Sequence, residues 1–151
     1  MCKAYNNKLQ RVSALKIIKK ESIIAMKQVD HVIGEREVLK YLTLQHANER
    51  AGHGPKSHSC PFIISIYSSF QDEAHLYLEL EYVEGCTLLS QINKRNEDVT
   101  SNMPFYAGEA LLTLEFLHNQ NIIYRDLKPE NIVLSMRERG HMKLVDFGFA
   151  R

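Results

Sequence analysis

Several things this chain lacks narrow what it can be. None of its apolar runs approaches the about 18 residues of a membrane-spanning helix, and its start shows no charged-then-apolar leader pattern. Membrane attachment therefore has no sequence support. Neither charge dominates, with Lys+Arg of 19 against Asp+Glu of 18 and a net charge of +1. So weak a field gives no reason to expect a nucleic-acid partner, and any charge preference has to be local. Cysteine is scarce: Cys2, Cys60 and Cys86 are odd in number and have no paired spacing. That argues against a disulfide framework and for a reducing compartment, inside the cell and in the cytoplasm, with the nucleus left open. His46, His53, His58 and Cys60 match no zinc-ligand spacing, so a metal centre is not expected there.

What is present is an ordinary folding composition, 44% hydrophobic and 25% charged, which excludes disordered and collagen-like classes. Residues 12–18 alternate as a strand and set Val12, Ala14, Lys16 and Ile18 on one face. An isolated lysine in an apolar row snorkels to water. The next element changes that reading. Residues 27–44 follow a helical pattern that puts Val32, Glu35, Leu39 and Leu42 along one stripe. A carboxylate on a buried stripe needs a cationic partner, and Lys16 is the candidate. Gly34, directly before Glu35, weakens this helix by up to about 1 kcal/mol relative to alanine.

Residues 46–60 then break into a loop containing Gly, Pro and Ser. Residues 61–70 and 74–82 read as strands of a hairpin that turns through Gln71-Asp72-Glu73. In the second strand Leu76, Leu78, Leu80 and Tyr82 share one face and Glu79 and Glu81 the other, a pattern that predicts a half-exposed or edge strand. Residues 93–98 form a charged connector, and Thr100, Ser101 and Asn102 offer N-caps for a helix to about His118. That helix is apolar around most of its circumference and expects burial on several sides.

The densest chemistry lies in Ile122-Ile123-Tyr124-Arg125-Asp126-Leu127-Lys128-Pro129-Glu130-Asn131-Ile132-Val133-Leu134. Short apolar runs, read as a pair of strands, bracket a loop rich in charge. Pro129 fixes its own φ and biases Lys128 toward extended backbone, so the polar side chains sit on a stiff loop. Fifteen residues beyond Asn131 comes Asp146-Phe147-Gly148, at the end of the short apolar run 142–145. A catalytic-loop Asp, an Asn five residues on and a later Asp-Phe-Gly form the protein-kinase signature. On these residues the chain resembles the serine/threonine protein kinases of the AGC group, close to the catalytic subunits of cAMP-dependent protein kinases. Tyr124 where most kinases carry His, Phe149-Ala150 after Asp-Phe-Gly, and Lys27-Gln28-Val29-Asp30-His31 are similar to that group. Lys128 with Pro129-Glu130-Asn131 resembles the serine/threonine class.

The resemblance implies an α+β, protein-kinase-like fold. It implies an incomplete N-lobe over 1–83, an antiparallel sheet plus one helix, lacking the Gly-rich loop and carrying 46–60 as an insertion. Residues 84–151 would begin a helical C-lobe, through Asp-Phe-Gly. It implies ATP-dependent phosphoryl transfer to serine or threonine of a protein substrate, with ATP and Mg²⁺ as cofactors and a regulatory subunit or scaffold as a further partner class. Asp126 would accept or orient the proton of the substrate hydroxyl and Lys128 would neutralise charge on the γ-phosphate. Asn131 and Asp146 would hold Mg²⁺, and Lys16 the ATP phosphates, with Glu35 holding Lys16. Ala14 counts among the nucleotide-binding positions. Residues 81–85 resemble the kinase hinge, whose backbone around Glu81 and Val83 would take adenine, with Leu80 as gatekeeper. Arg125 would tie the loop to the segment after Asp146, and Glu130 would face a basic residue of the substrate. Thr87 departs from the acidic residue those kinases carry at the ribose.

Two family features are absent from this sequence. No Gly-x-Gly-x-x-Gly precedes Lys16 and no Ala-Pro-Glu follows Arg151. The resemblance spans the chain but only the middle of a kinase domain, and the alternative reading is a catalytically inactive fragment or a pseudokinase-like binding module.

Overall fold

The computed structural model describes residues 1–50, 59–136 and 140–151, the side chains of 46–50 excepted. Its first half is an antiparallel sheet in the order β1-β2-β4-β3, built from β1 (Cys2–Asn6), β2 (Arg11–Lys19), β3 (Ile66–Gln71) and β4 (His75–Glu81). Between β2 and β3 the chain forms α1 (Lys20–Ala25) and α2 (Val29–Arg50). The stripe expected on α2 points inward: Glu35, Leu39 and Leu42 are buried and Val32 is half-buried. The helix starts at Val29 rather than at 27 because Lys27 takes a left-handed φ of 53°. It also runs on to Arg50, so the first residues of the expected 46–60 loop are helical. Residues 51–58 of that loop, with His53 and His58, lie outside the described residues, as does the side chain of His46.

The edge-strand expectation for 74–82 is overturned. β4 lies between β2 and β3, with Lys16 opposite Leu78 on one side and Ser69 opposite Leu78 on the other. Its glutamates tolerate this because their oxygens are satisfied. Glu79 takes the Arg11 Nη2 at 3.1 Å and the Ser68 hydroxyl at 2.7 Å, and Glu81 accepts the Ser65 amide at 3.1 Å. The first hairpin strand is shorter than expected. Residues 62–65 form a ribbon in which Ile63 bridges Leu144 in parallel. In that ribbon Leu144 N–H donates to Phe62 O at 2.7 Å, and Ile64 N–H to Leu144 O at 3.1 Å.

The second half contains β5 (Gly85–Thr87), α3 (Leu88–Asn93), α4 (Glu97–Ser101), α5 (Met103–Asn119), a 3₁₀ turn (Pro129–Asn131), β6 (Ile132–Ser135) and β7 (Met142–Leu144). Its small sheet runs β5-β6-β7. Gly85 is required there, since a Cβ would stand 1.8 Å from the Leu134 carbonyl oxygen. The charged connector 93–98 is partly helical: Asn96 caps α4 by accepting the Val99 amide. Residues 122–124 are not a strand, although Ile123 exchanges backbone hydrogen bonds with Arg151 at 2.7 and 3.0 Å. On α5, Tyr106, Ala110, Thr113 and Leu117 are buried while Leu111 and Leu112 stay exposed, at 68% and 55%, so burial on several sides is not met among the described residues. One hydrophobic cluster joins the halves, running from Ala14, Leu39, Leu78 and Leu80 through Ile63 and Ile64 to Leu117, Tyr124, Leu144 and Phe147. Among the described residues no helix is long and apolar enough to cross a membrane.

Candidate active site

A cavity of about 440 Å³ opens where the two sheets meet. Ala14 and Lys16 of β2, Glu35 of α2, Leu80 and Glu81 of β4, and Val83 line one part of it; Asn131 and Asp146 line another. Each of these was singled out from the sequence. Its walls are mainly apolar with a few convergent charges, and its size suits a nucleotide-scale ligand.

Lys16 anchors the charged end. Its Nζ contacts both Glu35 oxygens, at 2.7 and 2.8 Å, and Asp146 Oδ1 at 3.2 Å. Burial disfavours its charge, but Glu35 and then Asp146 outweigh burial and hold its pKa above the ordinary value of 10.5. Burial pushes the Glu35 carboxyl upward against the pull of Lys16. The result is an ammonium fixed by a buried partner, with Asp146 half-exposed beside it. Asp146 itself takes a φ of 60° and Arg125 one of 65°, left-handed conformations that cost bulky residues energy and gather at functional sites.

The backbone geometry read from Pro129 is present. Lys128 is extended, at φ −158° and ψ 158°, and Pro129 opens the 3₁₀ turn that buries Asn131. Lys128 Nζ contacts the Asp126 carboxylate at 2.8 and 3.0 Å. Asn131 Nδ2 donates to that carboxylate at 2.8 Å and to the Asp126 carbonyl at 3.0 Å. This orientation leaves Oδ1 as the acceptor end of the amide. The hydrogen bond from Lys128 holds the Asp126 carboxyl below the ordinary range, and the same contact holds the Lys128 ammonium above its own. Asp126 and Lys128 do not line the cavity but are tied to it through Asn131. Two links set this loop against Asp146. Val145 N–H donates to Asn131 O at 2.9 Å, and the buried Tyr124 hydroxyl donates to Val145 O at 2.6 Å. Burial, with the nearby charge of Asp146, pushes the Tyr124 phenol far up, so it stays a neutral donor. Arg125 Nε reaches the Phe149 carbonyl at 2.7 Å, as anticipated for its link to the following segment.

The family model described as "Protein kinase domain" matches residues 1–151. The chain belongs to the protein kinase domain family. This kinase chain is 41% identical over 138 residues to the "cAMP-dependent protein kinase catalytic subunit" of Dictyostelium discoideum, which covers 91% of the chain and 18% of that protein. It is 40% identical over 141 residues to "cAMP-dependent protein kinase type 3" of Saccharomyces cerevisiae, covering 93% of the chain and 31% of that protein. It is 39% identical over 138 residues to the human "cAMP-dependent protein kinase catalytic subunit PRKX", covering 91% and 34%. The kinase chain therefore spans between about a fifth and a third of the length of these relatives.

Sequence reasoning missed part of the cavity wall. Met1, Cys2, Lys3, Ile64, Val133 and Val145 also line it. For Val133 a signal was available only in its nearness to Asn131, since Asn131 belongs to the 3₁₀ turn and β6 begins at Ile132. For Cys2 and Lys3 it was not. They reach the cavity because β1 pairs Cys2 with Leu15 and Lys3 with Ala14, a register that no local pattern specifies.

Proposed function

We propose that this chain carries the nucleotide and phosphoryl-transfer centre of an ATP-dependent serine/threonine protein kinase, acting on protein substrates inside the cell, in the cytoplasm. The single observation that carries this reading is Lys16 held between Glu35 and Asp146 at the edge of the cavity. That cation is positioned to meet phosphate oxygens. In the same reading residues 1–83 and 84–151 belong to two lobes with the hinge at 81–85, and a regulatory subunit or scaffold is a partner class.

The donor set fits a hard divalent cation, since the Asn131 amide oxygen and the Asp146 carboxylate are both oxygen ligands. Mg²⁺ bound there would supply charge neutralisation on the nucleotide phosphates. The chain's own residues do the rest. Ala14, Leu80 and the backbone of 81–83 enclose adenine, and Lys16 orients the phosphates. Lys128 stays protonated beside Asp126 and offers its charge to the transferred group. Asp126, held below the ordinary carboxyl range, is a weak base. It would orient the substrate hydroxyl and take its proton as the new oxygen–phosphorus bond forms and the bond from the γ-phosphorus to the departing ADP oxygen breaks.

The test is thermal. Mg-ATP should raise the melting temperature of the protein, and Lys16→Ala or Asp146→Ala should abolish the rise. No rise in the parent protein would sink the nucleotide reading. A rise without phosphate transfer to a serine or threonine peptide would favour the inactive binding module.

A further inference from the structure

An ion pair between a buried lysine and a part-exposed glutamate lies outside the phosphoryl-transfer residues. Lys143 of β7 is 7% exposed, and its Nζ lies 3.0 Å from Glu81 Oε1. The other oxygen of that carboxylate accepts the Ser65 amide at 3.1 Å, and the Glu81 amide donates to Ser65 O at 2.8 Å. Glu81 therefore lines the cavity while its carboxylate and its N–H are committed to the opposite side.

Ser65 ends the ribbon 62–65, which is itself hydrogen-bonded to Leu144 next to Lys143. One lysine side chain thus spans the ribbon. It ties the exit of β4 to the strand that, three residues later, delivers Asp146. In sequence Lys143 sits between Met142 and Leu144, and all three positions of β7 are buried. A lysine in so dry a strand is retained only with a partner.

We propose that Lys143 is a positioning residue for the nucleotide. By neutralising the Glu81 carboxylate it holds the backbone of 81–83 in the geometry that the base of the nucleotide requires. The proposal rests on the nucleotide reading of the cavity. Its physical content is the asymmetry of buried pairs: removing one partner strands a charge, whereas replacing both with neutral groups does not. An unpaired Glu81 carboxylate turns toward water, takes the Ser65 contact with it and shifts the strand exit.

The experiment measures ADP affinity by calorimetry in the intact protein and amide exchange at Ser65. Lys143→Met should weaken ADP binding by about tenfold and speed Ser65 exchange. Lys143→Met combined with Glu81→Gln, which keeps an oxygen for the Ser65 amide, should restore affinity to within about twofold and slow the exchange again. Parent-like binding in the single variant would overturn the proposal. So would a double variant as weak as the single one, since Lys143 would then act through packing volume alone. If the parent protein binds no ADP, the nucleotide reading falls by itself. Ser65 exchange then still decides the clamp, with unchanged exchange in Lys143→Met refuting it.

Discussion

Lys16→Met removes the cation that faces Glu35 at 2.7 and 2.8 Å and Asp146 at 3.2 Å. At an effective dielectric of about 20, unit charges separated by the 2.7 Å contact attract by roughly 6 kcal/mol. Against that attraction stands the desolvation of Glu35, whose side chain is 3% exposed. The Lys16 and Asp146 side chains keep 24% and 49% exposure, so water relieves part of the loss. We therefore place the cost at the low end for a broken buried pair, about 3 kcal/mol. For a chain of this length that lowers the melting temperature by roughly 6–12 °C. Urea unfolding of the parent, Lys16→Met, Glu35→Gln and the double variant measures it as a cycle. The double variant should be less destabilised than the sum of the singles, with a coupling of at least about 1 kcal/mol. Additivity within about 0.5 kcal/mol would show that the contact holds no energy and would refute the argument. The pH dependence adds a sign. A lysine with a raised folded pKa contributes fully below its ordinary 10.5, and the contribution is lost as pH rises through the folded value. The share of the parent's advantage that comes from the lysine's own charge should thus be lost only in strongly alkaline solution.

Further outcomes follow from other sites. Gly85→Ala forces a methyl against the Leu134 carbonyl, 1.8 Å away, and should cost about 3 kcal/mol in denaturant unfolding; a neutral substitution would contradict the close approach of β5 and β6. Asp126→Asn should cut phosphate transfer to a serine peptide roughly 10²- to 10⁴-fold. It should keep the Mg-ATP thermal shift, because Asp126 stands outside the cavity wall, and loss of both would place it in binding instead. Asp72, whose carboxyl is drawn down from 3.8 to about 2 by the Tyr77 hydroxyl and the His75 and Ala74 amides, stabilises the β3–β4 turn above its ordinary pKa and releases it as pH falls through about 2. An NMR titration of its side chain with a midpoint near the ordinary value would remove that support.

Much of the site was legible because its signals are local. The alternation of residues 12–18 and the helical stripe through Glu35 each require a buried charge to find a partner, and the structure joins the two at hydrogen-bond distance. Pro129 and the Asp126-to-Asn131 spacing likewise act over a few residues, and the extended Lys128 and the Asn131–Asp126 bonds are as those signals imply. The misreadings share one cause. Glu79 and Glu81 read as solvent-facing, yet Arg11, Ser68, Ser65 and Lys143 come to them from other elements. Residues 61–65 and 122–124 read as strands from their apolar character, but Phe62 and Ile64 bond through their backbone to Leu144 and Ile123 bonds to Arg151, both distant in sequence.

The sequence by itself determined the family signature, the residues to which the proposed reading gives phosphate, base and cation, and the helix that carries Glu35, because spacing and periodicity are properties of short stretches. The tertiary structure alone decided that β4 is interior, that β1 brings Cys2 and Lys3 to the cavity, and that Lys143 pairs with Glu81 from another strand. Those outcomes depend on which distant group satisfies a buried charge or backbone amide, a choice made only when the elements pack.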